Sequence, residues 1–322
     1  MYDVITIGDA TFDTFLVIDD ATINCDLKSE ECKLCLNYAD KLPIRHSTQS
    51  MGGDAANVAV GLTKLGLKTA IVTELGDDLN GHVIKQGLEE AKVNTEMVRI
   101  LKDKETRYSV VLNFKAERTI LSYHAPRTYS LPKLASTQWI YYTSLGKSFE
   151  KLQDKLEQYL KKHPETKLAM NPGSYQLKHG TKKIKELFPR TEILFLNKEE
   201  AEHLAGSNDV IENLRKLHAQ GPHTVVITDS TKGSYCFNGN RPYFMPVYPV
   251  IPRAKTGAGD AFASGFLACI VNGDPAIPDA IQWGTANAAG VIQHFGAQTG
   301  LLDRKGITRL IKKFPKIIPT IV

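Results

Sequence analysis

The stretch Lys255-Thr-Gly-Ala-Gly-Asp-Ala-Phe-Ala-Ser-Gly-Phe266 is the most informative part of this sequence. Residues 257–259 are small enough for a tight backbone turn whose N–H groups point together at an anion. The apolar run over residues 261–270 predicts a buried helix, whose first turn leaves N–H donors unpaired and carries about half a positive charge. Asp260 lies inside this anion-binding turn. Such a carboxylate suits phosphoryl transfer, in which a base takes a proton from an attacking hydroxyl while negative charge develops on the phosphoryl group.

Composition excludes several classes of protein. The chain has 322 residues, of which 42% are hydrophobic and 23% are charged, as in ordinary globular proteins. Its net charge of +5 is spread along the chain, so we expect no dedicated nucleic-acid surface. No stretch approaches the roughly 18 apolar residues that a membrane-spanning helix needs, and the N-terminal residues have the pattern of a first strand. We therefore expect a cytoplasmic protein without a membrane partner.

The five cysteines are too few for a disulfide framework in a chain of this length. Cys25, Cys32 and Cys35 form a cluster, in which Cys32-x-x-Cys35 with His46 is one arrangement that zinc could use. The spacing matches no established zinc pattern, so we interpret the three as reduced cysteines on a β-segment. The other two cysteines lie in apolar runs and are expected in the core.

Apolar β-like runs alternate with helical patterns, which predicts an α/β fold with a mainly parallel central sheet flanked by helices on both faces. The predicted strands are Val4–Gly8, Ala70–Glu74, Ile140–Thr143, Leu168–Asn171, Ile193–Leu196 and Val225–Thr228. The predicted helices are Ala55–Leu65, Gly81–Ala91, Phe149–Lys162, Gly180–Phe188, Lys198–Leu204, Val210–Ala219, Asp260–Asn272 and Pro278–His294. Residues 12–51 and 106–123 contain short β-like stretches instead. We interpret them as a small β-sheet lid over the mouth of the site, within a single domain spanning residues 1–322.

A second glycine motif, Met51-Gly-Gly-Asp-Ala-Ala-Asn57, begins another predicted helix. Gly52 and Gly53 allow the backbone to approach a ligand closely. Asp54 and Asn57 are three residues apart and therefore lie on one face of that helix. Asp54 could simply cap the helix, but together with Asn57 it is better suited to bind the hydroxyl groups of a substrate.

The two glycine motifs, in this order, resemble those of the PfkB, or ribokinase-like, family of carbohydrate and nucleoside kinases. Further matching passages extend the resemblance over nearly the whole chain: Gly8-Asp-Ala-Thr-Phe-Asp13, Thr73-Glu-Leu-Gly-Asp-Asp78, Asn171-Pro172, Leu196–Leu204 and Val226–Ser234. The resemblance implies a ribokinase-like fold with a β-sheet lid. It also implies transfer of the γ-phosphoryl group of ATP to a hydroxyl group.

The resemblance also implies roles for individual residues. The catalytic group would be a base and the turn that forms an anion hole: Asp260, Gly257, Ala258 and Gly259. The nucleotide would contact Asn197, Glu200, Thr228, Gly233 and Asn287. We add Lys255 and Thr256 as candidate nucleotide contacts from the glycine motif itself. The phosphoryl acceptor would contact Asp13, Gly53 and Asn57, to which the second glycine motif itself adds Gly52 and Asp54. Glu200 belongs to the family's Asn-x-x-Glu pattern and would hold Mg²⁺ through water, whereas without the resemblance it reads as an exposed carboxylate at a helix start.

Three features depart from the family pattern. Members commonly have an aspartate at the position of Ala254, which helps to build a monovalent-cation site in many relatives, so we do not expect potassium activation. Lys255 could place a fixed positive charge near the phosphates instead, or simply point to solvent.

Asp54 stands where ribokinase-type sequences often have lysine, and a carboxylate there binds vicinal hydroxyls and repels phosphorylated sugars. Residues 144–147 lack the acidic residue of many ribose-specific members, so ribose is not secured as the substrate.

Two kinase hypotheses and two other classes follow. The leading hypothesis is an ATP- and magnesium-dependent kinase acting on a small neutral sugar. The alternative is a nucleoside kinase acting on a 5′-hydroxyl, which needs an aromatic or apolar slot for the base. The candidates for that slot are Phe12, Phe15, Tyr108, Phe114 and Tyr123.

A non-catalytic scaffold is disfavoured because Asp260 and the anion turn are intact. A dinucleotide-binding oxidoreductase is disfavoured by Phe262, which occupies the third glycine position of the Gly-x-Gly-x-x-Gly fingerprint. Because the family's lid often mediates dimerisation, a homodimer through the lid is a further expectation.

Overall fold

The computed structural model describes residues 1–26, 31–115, 117–273 and 276–322. Its strands are β1 Tyr2–Ile7, β2 Thr11–Ile18, β3 Thr22–Asp26, β4 Glu31–Cys35, β5 Ile44–Gly52, β6 Thr69–Gly76, β7 Val98–Leu101, β8 Tyr108–Phe114, β9 Glu117–Tyr123, β10 Thr137–Tyr142, β11 Lys167–Met170, β12 Thr191–Asn197, β13 Thr224–Thr228, β14 Ser234–Phe237, β15 Tyr243–Met245 and β16 Thr320–Ile321. Its α-helices are α1 Asp54–Lys64, α2 Leu79–Glu90, α3 Glu150–Lys162, α4 Ser174–Lys185, α5 Lys198–Ala205, α6 Val210–His218, α7 Ala258–Val271, α8 Ile277–Val291 and α9 Arg304–Lys313.

Ten strands form the central sheet, in the order β16-β15-β14-β13-β12-β11-β10-β1-β6-β7. The strands from β13 to β7 pair in parallel, whereas β14, β15 and β16 pair antiparallel at the other edge. All eight residues of β6 are buried, as expected for a parallel strand that is covered on both faces. One buried cluster packs the sheet against α3 to α6, and another packs it against α7, α8 and α9. The predicted fold class is confirmed.

Two helices differ from the sequence predictions. Helix α4 begins at Ser174 rather than Gly180, because the Gln176 side chain accepts a hydrogen bond from the Gly173 N–H (2.8 Å) and closes the first turn. Gly180 instead interrupts this helix with a non-helical φ of −142°. Helix α9 is not predicted, because Ile307 is its one fully buried residue and five of its ten residues are lysine or arginine. None of the helices in the described ranges is long and apolar enough to cross a membrane.

A second, smaller sheet has the order β5-β2-β8-β9, with β2 antiparallel to β5 and parallel to β8, and β8 antiparallel to β9. Its strands come from the two segments that the sequence assigns to a lid, of which residues 27–30 and 116 lie outside the described residues. Residues directly opposite each other in register share one face of a sheet. We call the face that carries Asp13 and Phe15 the inner face, because these side chains are 7% and 1% exposed.

Strands β3 and β4 form a separate two-stranded hairpin. Its register places Cys25 opposite Cys32, and a disulfide joins them. The prediction of reduced cysteines is wrong for this pair, because sequence spacing does not reveal the hairpin register, and Cys32 has no free thiol for zinc. Cys35 is a free exposed thiol, and the other two cysteines, Cys236 and Cys269, are free and buried as expected.

Candidate active site

The late glycine motif forms the turn that begins α7. Gly257 has a left-handed φ of +77°, and a Cβ atom there would collide with Ala297, so the position requires glycine on both grounds. The Ala261 N–H donates to the Gly257 carbonyl oxygen (2.9 Å), which is the first hydrogen bond of the helix. The space beside Gly259 is open, since no atom of the described residues outside its chain neighbours and the nearby helix backbone lies within 4 Å of the position of a Cβ. The start of α7 thus combines unpaired N–H donors with room for an anion.

Asp260 lies in the first turn of α7 and is 7% exposed. Its Oδ2 accepts a hydrogen bond from Asn57 Nδ2 (2.8 Å), and Asn57 Oδ1 accepts one from Gln298 Nε2 (2.9 Å). Burial first, and then the negative charge of Asp54, raise the pKa of Asp260 well above its ordinary value of 3.8. This carboxylate is therefore held in one orientation and has increased basicity, which suits a general base.

The early glycine motif places a second group of polar residues beside Asp260. Gly53 has a φ of +91°, and a Cβ there would lie 2.5 Å from the Asp9 carbonyl oxygen. The Asp13 carboxylate packs directly against Gly52, which leaves no room for a side chain at that position. Gly53, not Asp54, is the N-cap residue of α1, so the helix-cap interpretation of Asp54 is wrong.

Carboxylates dominate the electrostatics of this region. Burial, followed by the charges of Asp9 and Asp13, raises the pKa of Asp54 to about 6. Burial likewise raises the pKa of Asp13. Negative charge that is close together and partly desolvated favours the binding of hydroxyl donors or cations, and disfavours the binding of another anion.

The expected nucleotide contacts lie at the carboxyl ends of β12 and β13. Asn197 and Thr228 are paired in register there, and Gly233 follows with a φ of +112°. The Asn197 side chain accepts from the Glu200 N–H while the Glu200 carboxylate accepts from the Asn197 N–H, both at 2.9 Å, so the two residues form a capping box. Burial, opposed by this hydrogen bond, raises the pKa of Glu200 to about 7, and the charge of Asp54 adds to the rise. In open α/β sheets this edge is where ligands bind.

Asn287 does not face this groove. It is completely buried, and its Nδ2 donates to the Ala261 carbonyl oxygen (2.9 Å) and to Ser264 Oγ (3.1 Å). Its Oδ1 accepts from the Leu302 N–H (2.8 Å). The prediction of a nucleotide contact is therefore wrong in this structure. The resemblance identifies α8 as the helix beside the nucleotide, but it does not determine on which face of α8 the Asn287 amide lies. In this structure that face packs against α7.

Lys255 and Thr256 contact the small sheet. Lys255 Nζ lies 3.0 Å from Glu117 Oε1, and Arg118 Nη1 donates to Thr256 Oγ1 (3.0 Å). A cavity of about 830 Å³ lies between the small sheet and the segment that precedes the glycine turn. Five cationic side chains line it: Arg45, Lys115, Arg118, Arg253 and Lys255. Lys255 is thus partly exposed and is paired with a carboxylate of the small sheet.

Several residues of the site were not predicted. Gln298 orients Asn57, as described above. Arg107 forms a buried ion pair with Asp9 and a hydrogen bond with Tyr129, behind the acceptor motif. Burial raises the pKa of Asp9 to about 6, against the opposing effect of Arg107. Asp9 follows Gly8 in a quoted family passage and could have been selected on that signal, whereas Arg107 has no local motif.

The described residues contain no cluster of three or more His, Cys, Asp or Glu side chains that could hold a metal ion directly. The carboxylates nonetheless suit a hard divalent cation that is bound mainly by phosphate and water oxygens. Burial is the main cause of the raised pKa values of Asp54, Asp260 and Glu200, and a cation bound beside these carboxylates would favour their ionised form.

Known proteins are similar to this chain in sequence and in fold. A family model described as pfkB family carbohydrate kinase matches residues 13–304. A fructokinase of Klebsiella pneumoniae is 27% identical over 235 residues, which is 68% of this chain and 76% of that protein. The crystal structure of a Methanocaldococcus jannaschii nucleoside kinase superposes with a TM-score of 0.80 at 19% identity, covering 97% of this chain and 99% of the other. An Arabidopsis thaliana ribokinase complexed with ribose and ATP gives a TM-score of 0.77 at 21% identity, with the same coverage.

Proposed function

We propose, on the premise that the chain belongs to the pfkB family of carbohydrate kinases, that it transfers the γ-phosphoryl group of ATP to a hydroxyl of a small neutral sugar. The family establishes a phosphotransferase with a hydroxyl acceptor. The observation that carries the finer proposal is the hydrogen bond between Asn57 and Asp260 (2.8 Å). It joins the early glycine motif to the late one, so that an acceptor bound at the first lies next to a base and an anion turn at the second.

The chemistry then follows from the positions of the groups. Asp260 takes the proton of the acceptor hydroxyl as the oxygen attacks the γ-phosphorus of ATP. The bond from that phosphorus to the β–γ bridging oxygen breaks, and ADP leaves. The N–H groups at the start of α7, with Gly257 to Gly259, stabilise the negative charge on the transferring oxygens. The reaction ends with the proton on Asp260, whose raised pKa assists this transfer.

Magnesium is the cofactor that the carboxylates suit. We assign Glu200 to hold it through water, with Asn197 orienting the Glu200 carboxylate through the capping box. When bound, the ion neutralises phosphate charge during transfer. The groove for ATP runs past Thr228 and Gly233, next to Asn197.

The small sheet is proposed to act as a lid over the acceptor. Its inner face carries a row of short polar side chains in register with Asp13, namely Ser50, Ser109 and Ser122. These groups can hydrogen-bond a polyhydroxyl compound.

The positions of the aromatic residues support a sugar over a nucleoside. Of the five aromatic candidates, Phe15 alone shares the face of Asp13 by strand alternation, and it is 1% exposed. Tyr108 and Tyr123 contact each other on the opposite, outer face, with ring centroids 5.2 Å apart. Among the described residues, the aromatic candidates therefore form no open slot for a base beside Asp13. The alternative of a nucleoside acceptor is supported by the similarity to the Methanocaldococcus jannaschii nucleoside kinase.

A second copy of the chain is the proposed partner of the outer face. Tyr108, Leu121 and Tyr123 are 43%, 56% and 37% exposed there, next to the free edge of β9. Measuring the molar mass by light scattering, for the wild type and for Leu121→Lys, tests this dimer.

A cytoplasmic location stays a prediction, and the disulfide between Cys25 and Cys32 counts against it because disulfides are rare in that compartment.

An ADP-release screen tests the function. Neutral sugars, sugar acids, sugar phosphates and nucleosides are each supplied with Mg·ATP, with a no-acceptor control. We expect the fastest ADP release with a neutral sugar. Asp260→Asn should lose about 10²–10⁴-fold in turnover while keeping its affinity for Mg·AMP-PNP. A sugar phosphate or nucleoside as the best acceptor refutes the substrate class, and near-normal turnover of Asp260→Asn refutes the base.

A further inference from the structure

Arg118 is a residue of the small sheet that reaches the segment of the glycine turn. Its Nη1 donates to Thr256 Oγ1 (3.0 Å), and Thr256 is bonded directly to Gly257. The two residues are 138 positions apart in sequence. The register Val17↔Asn113↔Arg118 places Arg118 on the inner face, together with Asp13 and Phe15. This face of the sheet directs the side chain toward the glycine turn, where it lines the cavity and remains exposed to solvent.

The contact leaves most of the guanidinium available. A guanidinium has five N–H donors, and the bond to Thr256 uses one of them. This bond is made to a neutral hydroxyl, so it does not neutralise the positive charge. The neighbouring cation, Lys255, is instead paired with the carboxylate of Glu117 (3.0 Å). Among the described residues, Lys255 and Arg118 are the cations that connect the sheet to the turn. The contact of Arg118 there is a neutral hydroxyl, so the charge of Glu117, which also acts on Arg118, is shared between the two cations.

The ion pair beside this contact contributes little to holding the edge of the sheet at the turn. The side chains of Lys255 and Glu117 are 48% and 74% exposed, and exposed ion pairs shift an equilibrium by about fivefold at most. The end of β9 that carries Glu117 and Arg118 can therefore move away from the turn to admit an acceptor and then return. When it closes, it brings Arg118 back to the glycine turn.

We propose that Arg118 is a further catalytic residue, which contacts the γ-phosphoryl group at the glycine turn when the lid is closed and withdraws when the lid opens. This inference rests on the proposed kinase function. Closure then completes the charge around the transferring phosphoryl group, because the N–H groups of α7 and the guanidinium act on its oxygens together. Phosphoryl transfer to water is disfavoured while the lid is open, since the positive charge is then absent.

Steady-state kinetics of four variants test the proposal, using the sugar that gives the fastest ADP release in the screen above. Arg118→Ala should lower kcat by about 10²-fold, as expected for the loss of one preorganised donor at developing charge. Its KM for the sugar should change little. Arg118→Lys should recover part of the loss, because it keeps the charge but not the planar fork. Glu117→Gln should change kcat by no more than about fivefold, because it removes only an exposed ion pair.

Arg45→Ala is the matched control. Arg45 lines the same cavity and pairs with Asp19 (3.5 Å), but belongs to β5 and does not contact Thr256. Its kcat should stay within about twofold of the wild type, since its ion pair is exposed. An unchanged kcat in Arg118→Ala with a raised KM for the sugar means that Arg118 only holds the lid, and overturns the proposal.

Binding of Mg·AMP-PNP, measured by calorimetry without a sugar, separates this proposal from the function on which it rests. A wild type that binds the nucleotide and turns over, alongside an equally active Arg118→Ala, removes the role of Arg118 alone. A wild type that neither binds the nucleotide nor releases ADP with any acceptor removes the kinase function as well.

Discussion

Replacing Asp54 by asparagine is expected to stabilise the protein at neutral pH while impairing its activity. Asp54 is half-buried at the start of α1, and burial together with Asp9 and Asp13 raises its pKa from 3.8 to about 6. The folded state thus binds a proton more tightly than the unfolded chain does. The fold disfavours the charged form of Asp54, so the stability that this residue contributes is fully present below pH 4 and is lost as the pH rises through about 6.

The size of this effect follows from the pKa shift. A rise of roughly two pKa units corresponds to at most about 3 kcal/mol at pH 7.5. For a chain of this length, 1 kcal/mol moves Tm by about 2 °C, so Asp54→Asn should raise Tm by up to about 6 °C. Asparagine has the shape of a protonated aspartate, and so the difference should disappear near pH 4.

Thermal unfolding of wild type and Asp54→Asn at pH 4.0, 5.5 and 7.5 measures this difference directly. Asp279→Asn serves as the control, because Asp279 is also an acidic residue in a first helical turn but is exposed. It should give no gain in Tm at pH 7.5. The reasoning is refuted if the Asp54→Asn difference is independent of pH, or if this variant is less stable than the wild type at pH 7.5. Sugar kinase activity should fall in the same variant, which would make Asp54 a residue that trades stability for function.

Two further predictions concern the departures from the family pattern. Because Ala254 offers no carboxylate for a monovalent cation, adding potassium to a sodium- and potassium-free assay should leave turnover nearly unchanged, and a large increase contradicts this. Asn287→Ala should lower stability by about 2–5 kcal/mol, because it leaves the partners of three buried hydrogen bonds unsatisfied. Its affinity for Mg·AMP-PNP should not change, and weaker nucleotide binding at unchanged Tm would restore the original prediction for this residue.

The residues of the site that can be predicted from the sequence are those marked by a short pattern of neighbouring residues. Gly53 and Gly257 could be selected because each occupies a backbone conformation that side chains rarely adopt, and each stands directly before a helix. Asp54 and Asn57 follow from helical spacing once that helix is placed. The alternation of apolar runs likewise predicts the parallel sheet.

The parts that sequence reasoning misses depend on contacts between distant segments. Gln298 meets Asn57 across 241 residues, and Arg107 meets Asp9 across 98. No local pattern marks either contact, because only the packed sheet brings the segments together. The disulfide between Cys25 and Cys32 was missed for a related reason: the register of a hairpin decides which cysteines face each other. Asn287 shows the converse error, since a correct helix does not determine which of its faces is buried.

The hydrogen bond from Asn57 to Asp260 makes the two carboxylate oxygens of Asp260 unequal in their affinity for a proton. Oδ2 already accepts a hydrogen bond from the amide of Asn57, which occupies one of its two lone pairs and lowers its affinity for a further proton. The incoming proton should therefore settle on Oδ1. An acceptor hydroxyl must then approach from the Oδ1 side, and this sidedness selects among the hydroxyls of a sugar by their direction as well as by their chemistry.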